Sequence, residues 1–238
     1  MQDTHGLKQS RDLAEGIRPA KRMCAMKRVI GITGGVGSGK SVVLGILKRD
    51  YRAQVIEADI VAKELMMPGK PGHEGIRKEW GDKYFAPDGT IDKDKLGTAL
   101  YYCPDFRLRL NAIIHPLVRD EVAARIKRSR RSIIAYEAAL PEAARMDELC
   151  DEIWYIHVPE RDRIRRLMEG RGYTENKCRS ILAAQPPEYV YVNMAAHVID
   201  NRGSLEETAA QIKVAMDPEG DHPRVGKVLL MRDMRKAD

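Results

Sequence analysis

The sequence predicts an α/β fold in which five parallel strands form one sheet flanked by helices. Short, β-branched, apolar segments recur along the chain and alternate with segments of helical pattern. A glycine-rich segment, GGVGSGKS, joins the first of these strands to the first helix. Strands that alternate with helices are typical of a parallel sheet, because each parallel crossover needs a long connection that is usually helical.

The elements follow one another in a regular order. Residues 28–33 are apolar and β-branched, which suits a strand buried on both faces. Asp59 stands where a helix would begin, with Ile60, Val61 and Leu65 on one face of that helix. The predicted strands are 28–33, 53–57, 132–136, 152–158 and 197–199, and the helices predicted between them lie at about 40–49, 59 onward, 160–170 and 204–216.

Residues 68–131 differ in character and predict a helical insertion between the second and third strands. Turn formers cluster in MPGKPG (67–72) and in FAPDGTID (85–92), where Asp92 is predicted to cap the next helix. Pro116 is expected in the first turn of a helix, where proline is tolerated. The predicted helices of the insertion are 92–102, 104–114 and 116–129.

The two ends of the chain do not continue this pattern. Residues 1–26 mix both charge signs without a clear period and predict a loosely ordered leader, whereas 217–238 begin with turn formers and predict a tail. The remaining residues divide into a core, 27–67 and 132–216, and the insertion, 68–131.

The amino-acid composition narrows the chemical class of the expected binding partner. The formal net charge is +6 and 32% of the residues are charged, which favours a phosphate-rich partner. Aromatic residues make up only 5%, so a free nucleotide is expected rather than nucleic acid. No run of about 18 apolar residues occurs, so no membrane span is expected. The four cysteines are far apart and form no CxxC pair, which indicates reduced thiols in a cytoplasmic protein.

The glycine-rich segment predicts a phosphate-binding loop. Gly34, Gly39, Lys40 and Ser41 match G-x-x-x-x-G-K-[ST], with a strand before the motif and a helix after it. Glycines let successive N–H groups point inward around an anion, and the following helix directs its positive end at the phosphates. Lys40 is predicted to contact phosphate, and Ser41 to ligate Mg²⁺. The residues predicted to bind nucleotide are Gly35, Val36, Gly37, Ser38, Gly39, Lys40, Ser41 and Val42.

The loop alone allows an ATPase, a GTPase, a kinase or a switch protein. No Asn-Lys-x-Asp signature occurs, which disfavours GTP. Glu57 and Asp59 lie two residues apart and would share a face if both were on the second strand. At the carboxyl end of that strand, Asp59 would lie beside the loop and could accept a hydroxyl proton or help to hold Mg²⁺. The alternative for Asp59 is a plain helix cap.

At this point the sequence resembles the dephospho-CoA kinase family. The resemblance rests on IGITGGVGSGKS and VIEADIVAKEL, followed in family order by PGKPG, DGTIDKDKLG, LNAIIHPLV, the arginine-rich segment that ends in LAAQ, and HVIDNRGS. It covers about residues 27–216. It implies a P-loop NTPase-type core, an insertion that binds the acceptor dephospho-CoA, a lid near 163–187, and ATP with Mg²⁺ as donor. It also implies that Asp59 contacts the acceptor hydroxyl.

The resemblance assigns further residues. Arg171 matches the family's lid arginine, and a planar guanidinium suits the spread charge of a transferring phosphoryl group. The neighbouring arginines are expected to face solvent on a helix; they are Arg163, Arg165 and Arg166. Four more residues match family positions: Gln185, His115, which with Pro116 fits the acceptor-domain motif, and Asp200 and Asn201, both candidates for the nucleotide site. A turn after a strand would favour Asn201 in any case.

Two departures leave carboxylate roles open. Glu57 stands where the family usually has aspartate, which lengthens the side chain by one methylene. The family's PLLFE-like segment appears as EAALPEAA, residues 137–144. Glu142 is expected to take the place of the family's glutamate, with Glu137 as its competitor.

The expected function is phosphorylation of the ribose 3′-hydroxyl of dephospho-CoA by ATP, with Asp59, Lys40 and Arg171 as catalytic residues. One alternative is another small-molecule P-loop kinase with a nucleoside or nucleotide as acceptor. A second is a non-catalytic module that binds nucleotide or nucleic acid, which the basic surface motivates. The sequence leaves the oligomeric state open.

Overall fold

The computed structural model describes residues 27–217 and contains one parallel sheet with strand order β2–β3–β1–β4–β5. The strands are β1 (Arg28–Thr33), β2 (Gln54–Glu57), β3 (Ile133–Glu137), β4 (Glu152–His157) and β5 (His197–Asp200). Every pairing is parallel. All five predicted strands are confirmed to within one residue at each end, and their carboxyl ends meet at one edge of the sheet.

Helices occupy most of the connections. They are α1 (Lys40–Asp50), α2 (Ala58–Leu65), α3 (Pro71–Trp80), α4 (Lys93–Tyr102), α5 (Pro104–Arg128), α6 (Met146–Leu149), α7 (Glu160–Arg171), α8 (Glu175–Ala183), α9 (Glu188–Met194) and α10 (Leu205–Met216). The sequence predicted no helix at α3, α6, α8 or α9. Each of these is at most ten residues long, too short for a clear apolar period.

The sheet is buried on both faces, as the apolar strands predict. In β1, Val29 packs against one cluster of buried residues, together with α2, α3 and α5, whereas Ile30 packs against the other, together with α1 and α10. Side chains of successive strand residues point to opposite faces, so a continuous apolar strand supplies both clusters at once. The result is a sheet fixed between two helical layers.

The prediction of separate helices at 104–114 and 116–129 is wrong. A single helix, α5, runs from Pro104 to Arg128 with Pro116 inside it. His115 therefore lies in mid-helix and not at a helix start. Buried Ile114, Val118 and Val122 pack α5 onto the core on both sides of the proline. Their burial offsets the cost of about 3 kcal/mol that an interior proline carries.

The predicted cap at Asp92 is confirmed: its carboxylate accepts a hydrogen bond of 3.0 Å from the Lys95 N–H at the start of α4. Helices α3, α4 and α5 lie between β2 and β3 in the chain, where the insertion was predicted. The predicted leader, 1–26, and the predicted tail beyond Asp217 lie outside the described residues. Within residues 27–217, no helix combines the length and the apolar character needed to cross a membrane.

Candidate functional site

The phosphate loop connects β1 to α1 at the carboxyl edge of the sheet. Gly39 precedes α1 with φ 80° and ψ 33°, a left-handed conformation that favours glycine. A Cβ at this position would also collide with the side-chain amide of Asn201. N–H groups in the first turn of a helix lack partners four residues back and can bind an anion, although in α1 the Val42 N–H donates to the carbonyl of Gly39 at 2.9 Å. The loop thus has the backbone geometry that its motif predicts.

Lys40 lies over this loop and not in solvent. Its Nζ donates a 2.9 Å hydrogen bond to the carbonyl of Gly34 and lies 3.3 Å from Oε1 of Glu137. The Lys40 side chain is 15% exposed and that of Glu137 is 11% exposed. The ammonium group is therefore held by two oxygens at the position where the motif places a phosphate-binding cation.

Glu137 is the last residue of β3, and its register partner in β2 is Glu57. Burial raises the pKa of the Glu137 carboxyl above its ordinary value; Lys40 opposes that shift, whereas the charges of Asp59 and Glu57 add to it. Three carboxylates, those of Glu137, Glu57 and Asp59, therefore lie close enough to interact electrostatically near the single ammonium of Lys40. Glu142, the residue expected to act here, is exposed in the following segment, so the buried carboxylate beside the loop is Glu137.

Asp59 is not on a strand and does not cap a helix. β2 ends at Glu57, which is the residue that precedes α2, and Asp59 lies in the first turn of that helix. The condition for a shared strand face, that both residues lie on the second strand, is therefore not met, and the alternative of a cap at Asp59 is wrong because Glu57 holds the cap position. The Asp59 side chain is nevertheless exposed at the carboxyl edge and near enough to act on the pKa of Glu137.

Two hydroxyl groups beside the loop are buried without a hydrogen-bond partner among the described residues: Oγ1 of Thr33 and Oγ of Ser38. Buried hydroxyls are normally satisfied, since an unpaired one costs about 1–3 kcal/mol. Thr33 ends β1 directly before the loop and Ser38 lies within the loop, so both hydroxyls are placed to contribute a hydrogen bond to a ligand.

Asn201 supports the loop from beneath. Its side chain is buried, donates a 2.8 Å hydrogen bond to the carbonyl of Ser38 and accepts one of 3.0 Å from the hydroxyl of Thr208. Because both ends of this amide are bonded within the protein, the residue that follows β5 fixes the phosphate loop. A direct contact between Asn201 and nucleotide stays a prediction.

A sequence model of the dephospho-CoA kinase family matches residues 28–207. The chain belongs to this family. The dephospho-CoA kinase of Geobacter metallireducens is 39% identical over 187 residues, which are 77% of this chain and 92% of that relative. The dephospho-CoA kinase of Geobacter sulfurreducens is 38% identical, over 78% of this chain and 95% of that relative.

Solved structures agree in fold. A crystal structure from Thermus thermophilus is 26% identical, with a TM-score of 0.69 over 82% of this chain and 100% of that one. The dephospho-CoA kinase from Campylobacter jejuni is 18% identical, with a TM-score of 0.53 over 80% of this chain and 97% of that one. The predicted family and the P-loop kinase fold are both confirmed.

The arginines of the lid segment divide into two groups. Arg165 faces solvent and pairs with Asp162 at 2.8 Å, as predicted. For Arg163 and Arg166 the prediction is wrong, because Arg163 donates to the carbonyl of Val36 and Arg166 to that of Asn201, each at 2.8 Å. α7 follows β4 directly at the loop edge, so one of its faces packs on the loop. The arginine run carried no signal of which residues would face inward.

Arg171 is the last residue of α7 and is exposed. No hydrogen bond or ion pair among residues 27–217 joins it to Lys40 or Asp59. The described contacts therefore bring together Lys40, Glu137, Glu57 and Asp59, with Arg163 and Arg166 on the lid side, and leave Arg171 at the end of its helix.

Proposed function

We propose that this protein transfers the γ-phosphate of ATP to the ribose 3′-hydroxyl of dephospho-CoA, giving coenzyme A and ADP. The observation that carries the proposal is the arrangement of Lys40, Glu137 and Asp59 around a phosphate loop in a chain of this family. The lysine supplies the charge that phosphate requires, and the exposed carboxylate supplies a proton acceptor beside it.

On the donor side, N–H groups of the loop and of the start of α1 bind the phosphates of ATP, together with the ammonium of Lys40. Lys40 is already held over the loop by the carbonyl of Gly34 and by Glu137. A cation placed before substrate arrives neutralises the transferring group without reorganisation, which is the main source of electrostatic catalysis. Glu137 is thus a positioning residue for Lys40.

On the acceptor side, Asp59 orients the ribose 3′-hydroxyl and accepts its proton as the new O–P bond forms. Its exposure at the first turn of α2 lets an acceptor approach from solvent, whereas buried Glu137 is already paired with Lys40. Arg171 is proposed to close over the transferring phosphoryl group and exclude water, which would otherwise hydrolyse ATP.

The residues of this edge suit Mg²⁺ as well. Magnesium prefers hard oxygen ligands and usually binds through one or two protein groups together with substrate phosphates. Ser41 at the start of α1 offers a hydroxyl, and Glu137, Glu57 and Asp59 crowd negative charge nearby. No group of three or more acidic, histidine or cysteine residues in residues 27–217 has the geometry to hold a metal ion by itself. When bound, it would neutralise charge on the β- and γ-phosphates.

We place the reaction in the cytoplasm. Cys103, Cys150 and Cys178 are free thiols. Reduced cysteines are typical of cytoplasmic proteins, because that compartment keeps thiols reduced.

The test is an acceptor panel. Purified protein with ATP and Mg²⁺ is offered dephospho-CoA, nucleosides, nucleotides or no acceptor, and ADP is measured together with the position of the new phosphate. The expected result is ADP formed with dephospho-CoA and a phosphate on the ribose 3′-oxygen. Turnover with a nucleoside or nucleotide alone would replace this proposal with the other small-molecule kinase, and salt-sensitive nucleic-acid binding without turnover would indicate the binding module.

A further inference from the structure

Val36, at the tip of the phosphate loop, is hydrogen-bonded to two residues of the lid segment, Arg163 and Gln185. Its carbonyl accepts a 2.8 Å hydrogen bond from Nε of Arg163, and its N–H donates one of 3.2 Å to Oε1 of Gln185. The Arg163 guanidinium also donates to the same Oε1 of Gln185. The two side chains therefore form a closed ring of hydrogen bonds with the main chain of one loop residue.

The Val36 side chain makes a second connection. It packs against the small apolar cluster of the lid segment, which contains buried Ile164, Leu167 and Cys178. These residues belong to α7 and α8 and form a cluster separate from the two layers on the sheet. The loop tip is thus fixed both by hydrogen bonds and by packing to the element that would close over substrate.

The contact between the loop and the lid segment requires glycine at position 35, directly before Val36. A Cβ on Gly35 would collide with the guanidinium of Arg163 and would lie 2.7 Å from Oε1 of Gln185. Only a residue without a side chain lets the two lid residues approach this closely. The loop sequence therefore accommodates the lid contact as well as phosphate.

We propose that Arg163 and Gln185 are positioning residues that hold the phosphate loop in its nucleotide-binding conformation by clamping Val36. They act on donor phosphate through the loop backbone and contact neither substrate. This inference rests on the proposed function for its kinetic consequence, although its effect on nucleotide binding is independent of the acceptor. Arg163 holds the loop, whereas its neighbour Arg165, paired with Asp162 at the surface, does not.

The test compares Arg163→Ala, Arg163→Lys, Gln185→Ala and the double alanine variant with wild type. Arg163→Ala should raise the KM for ATP and the Kd for ADP about tenfold, the size expected for losing a charged hydrogen bond. The KM for dephospho-CoA should stay within about twofold, since the acceptor side is untouched. Arg163→Lys should rescue only part of this, because an ammonium lacks the planar fork that reaches both partners.

Coupling is measured by the double-mutant cycle on ADP affinity. Gln185→Ala should weaken ADP binding in the wild-type background and add little once Arg163 is alanine, because both act through Val36. Arg165→Ala is the matched control and should leave ADP binding unchanged. If Arg163→Ala is not folded by circular dichroism, Arg163→Lys and Gln185→Ala must each weaken ADP binding for the proposal to stand.

Wild-type ADP affinity in the folded Arg163→Ala variant, or fully additive effects in the cycle, would overturn the clamp. Wild-type protein that binds ADP but shows no turnover with dephospho-CoA would instead refute the proposed function and leave the clamp standing.

Discussion

Two glutamates of the same sheet have pKa values shifted in opposite directions. One lies at the amino edge, where the strands begin, and the other at the carboxyl edge, where they end. Glu152, the first residue of β4, pairs with Arg28 at 2.6 Å and with His197 at 3.4 Å. Burial alone would raise the pKa of Glu152, but hydrogen bonds from His197 and Arg28 outweigh it and bring the pKa to about 2. Glu137, at the other edge, has one lysine and two neighbouring carboxylates, and burial raises its pKa.

The different surroundings of Glu152 and Glu137 indicate different roles, one in stability and the other at the functional site. At the amino edge, Arg28 and His197 hydrogen-bond the Glu152 carboxylate, so its charge stabilises the fold. At the carboxyl edge, burial raises the pKa of the Glu137 carboxyl beside Lys40, and the hydroxyls of Thr33 and Ser38 have no hydrogen-bond partner among residues 27–217. Unfavourable electrostatics of this kind are concentrated where a ligand or reaction supplies the missing compensation. We therefore propose that the reaction takes place at the phosphate-loop edge.

The largest expected effect comes from removing the cation at the reactive edge. Lys40→Ala should lower kcat/KM by about 10²–10³, because a donor aimed at the transition-state charge contributes about 3–4 kcal/mol. Steady-state ADP formation measures this, and circular dichroism checks the fold. The matched change at the other edge, Arg28→Ala, should leave kcat/KM near wild type and lower the free energy of unfolding. Wild-type turnover in Lys40→Ala would contradict the claim that the carboxyl edge is functional and the amino edge structural.

The second test removes the charge of Glu152 at the amino edge of the sheet. Glu152→Gln should lower the free energy of unfolding by about 2–3 kcal/mol at pH 7, because the lowered pKa of Glu152 stabilises the fold. A lowered folded-state pKa stabilises the fold above the ordinary value of 4.5, and this contribution is lost as pH falls toward about 2. Urea denaturation from pH 7 to pH 3 measures the difference, which should shrink on acidification. A difference independent of pH would show that the ion pairs contribute nothing.

The smallest effect has the opposite sign. The raised pKa of Glu137 means that its protonated form is the stabilising one; that stability is present below pH 4.5 and lost as pH rises through the folded-state pKa. Glu137→Gln should therefore match wild type near pH 4 and become the more stable of the two toward pH 8, while its turnover falls. Urea titrations at both pH values give the comparison. Lower stability of Glu137→Gln at pH 8 would place Glu137 in the same class as Glu152.

The strands and the loop could be predicted because their signals are local. β-branched runs identified all five strands, and the glycine motif identified the loop before α1. The contacts around the loop could not be predicted, because they depend on which face of α7 packs inward and on the register that sets Glu57 beside Glu137. Pro116 led to the wrong prediction of a helix boundary for a similar reason. The rule that proline interrupts a helix is local, and the burial of Val118 and Val122 in the core outweighs it.

The most direct measurement is ADP release from ATP and Mg²⁺ with and without dephospho-CoA, for wild type and for Asp59→Asn. The variant keeps the size of the side chain and removes its negative charge and its ability to accept a proton. Release that requires dephospho-CoA and falls by orders of magnitude in Asp59→Asn is the predicted result. Release that ignores dephospho-CoA would contradict the acceptor, and an undiminished kcat in Asp59→Asn would contradict the role of this carboxylate.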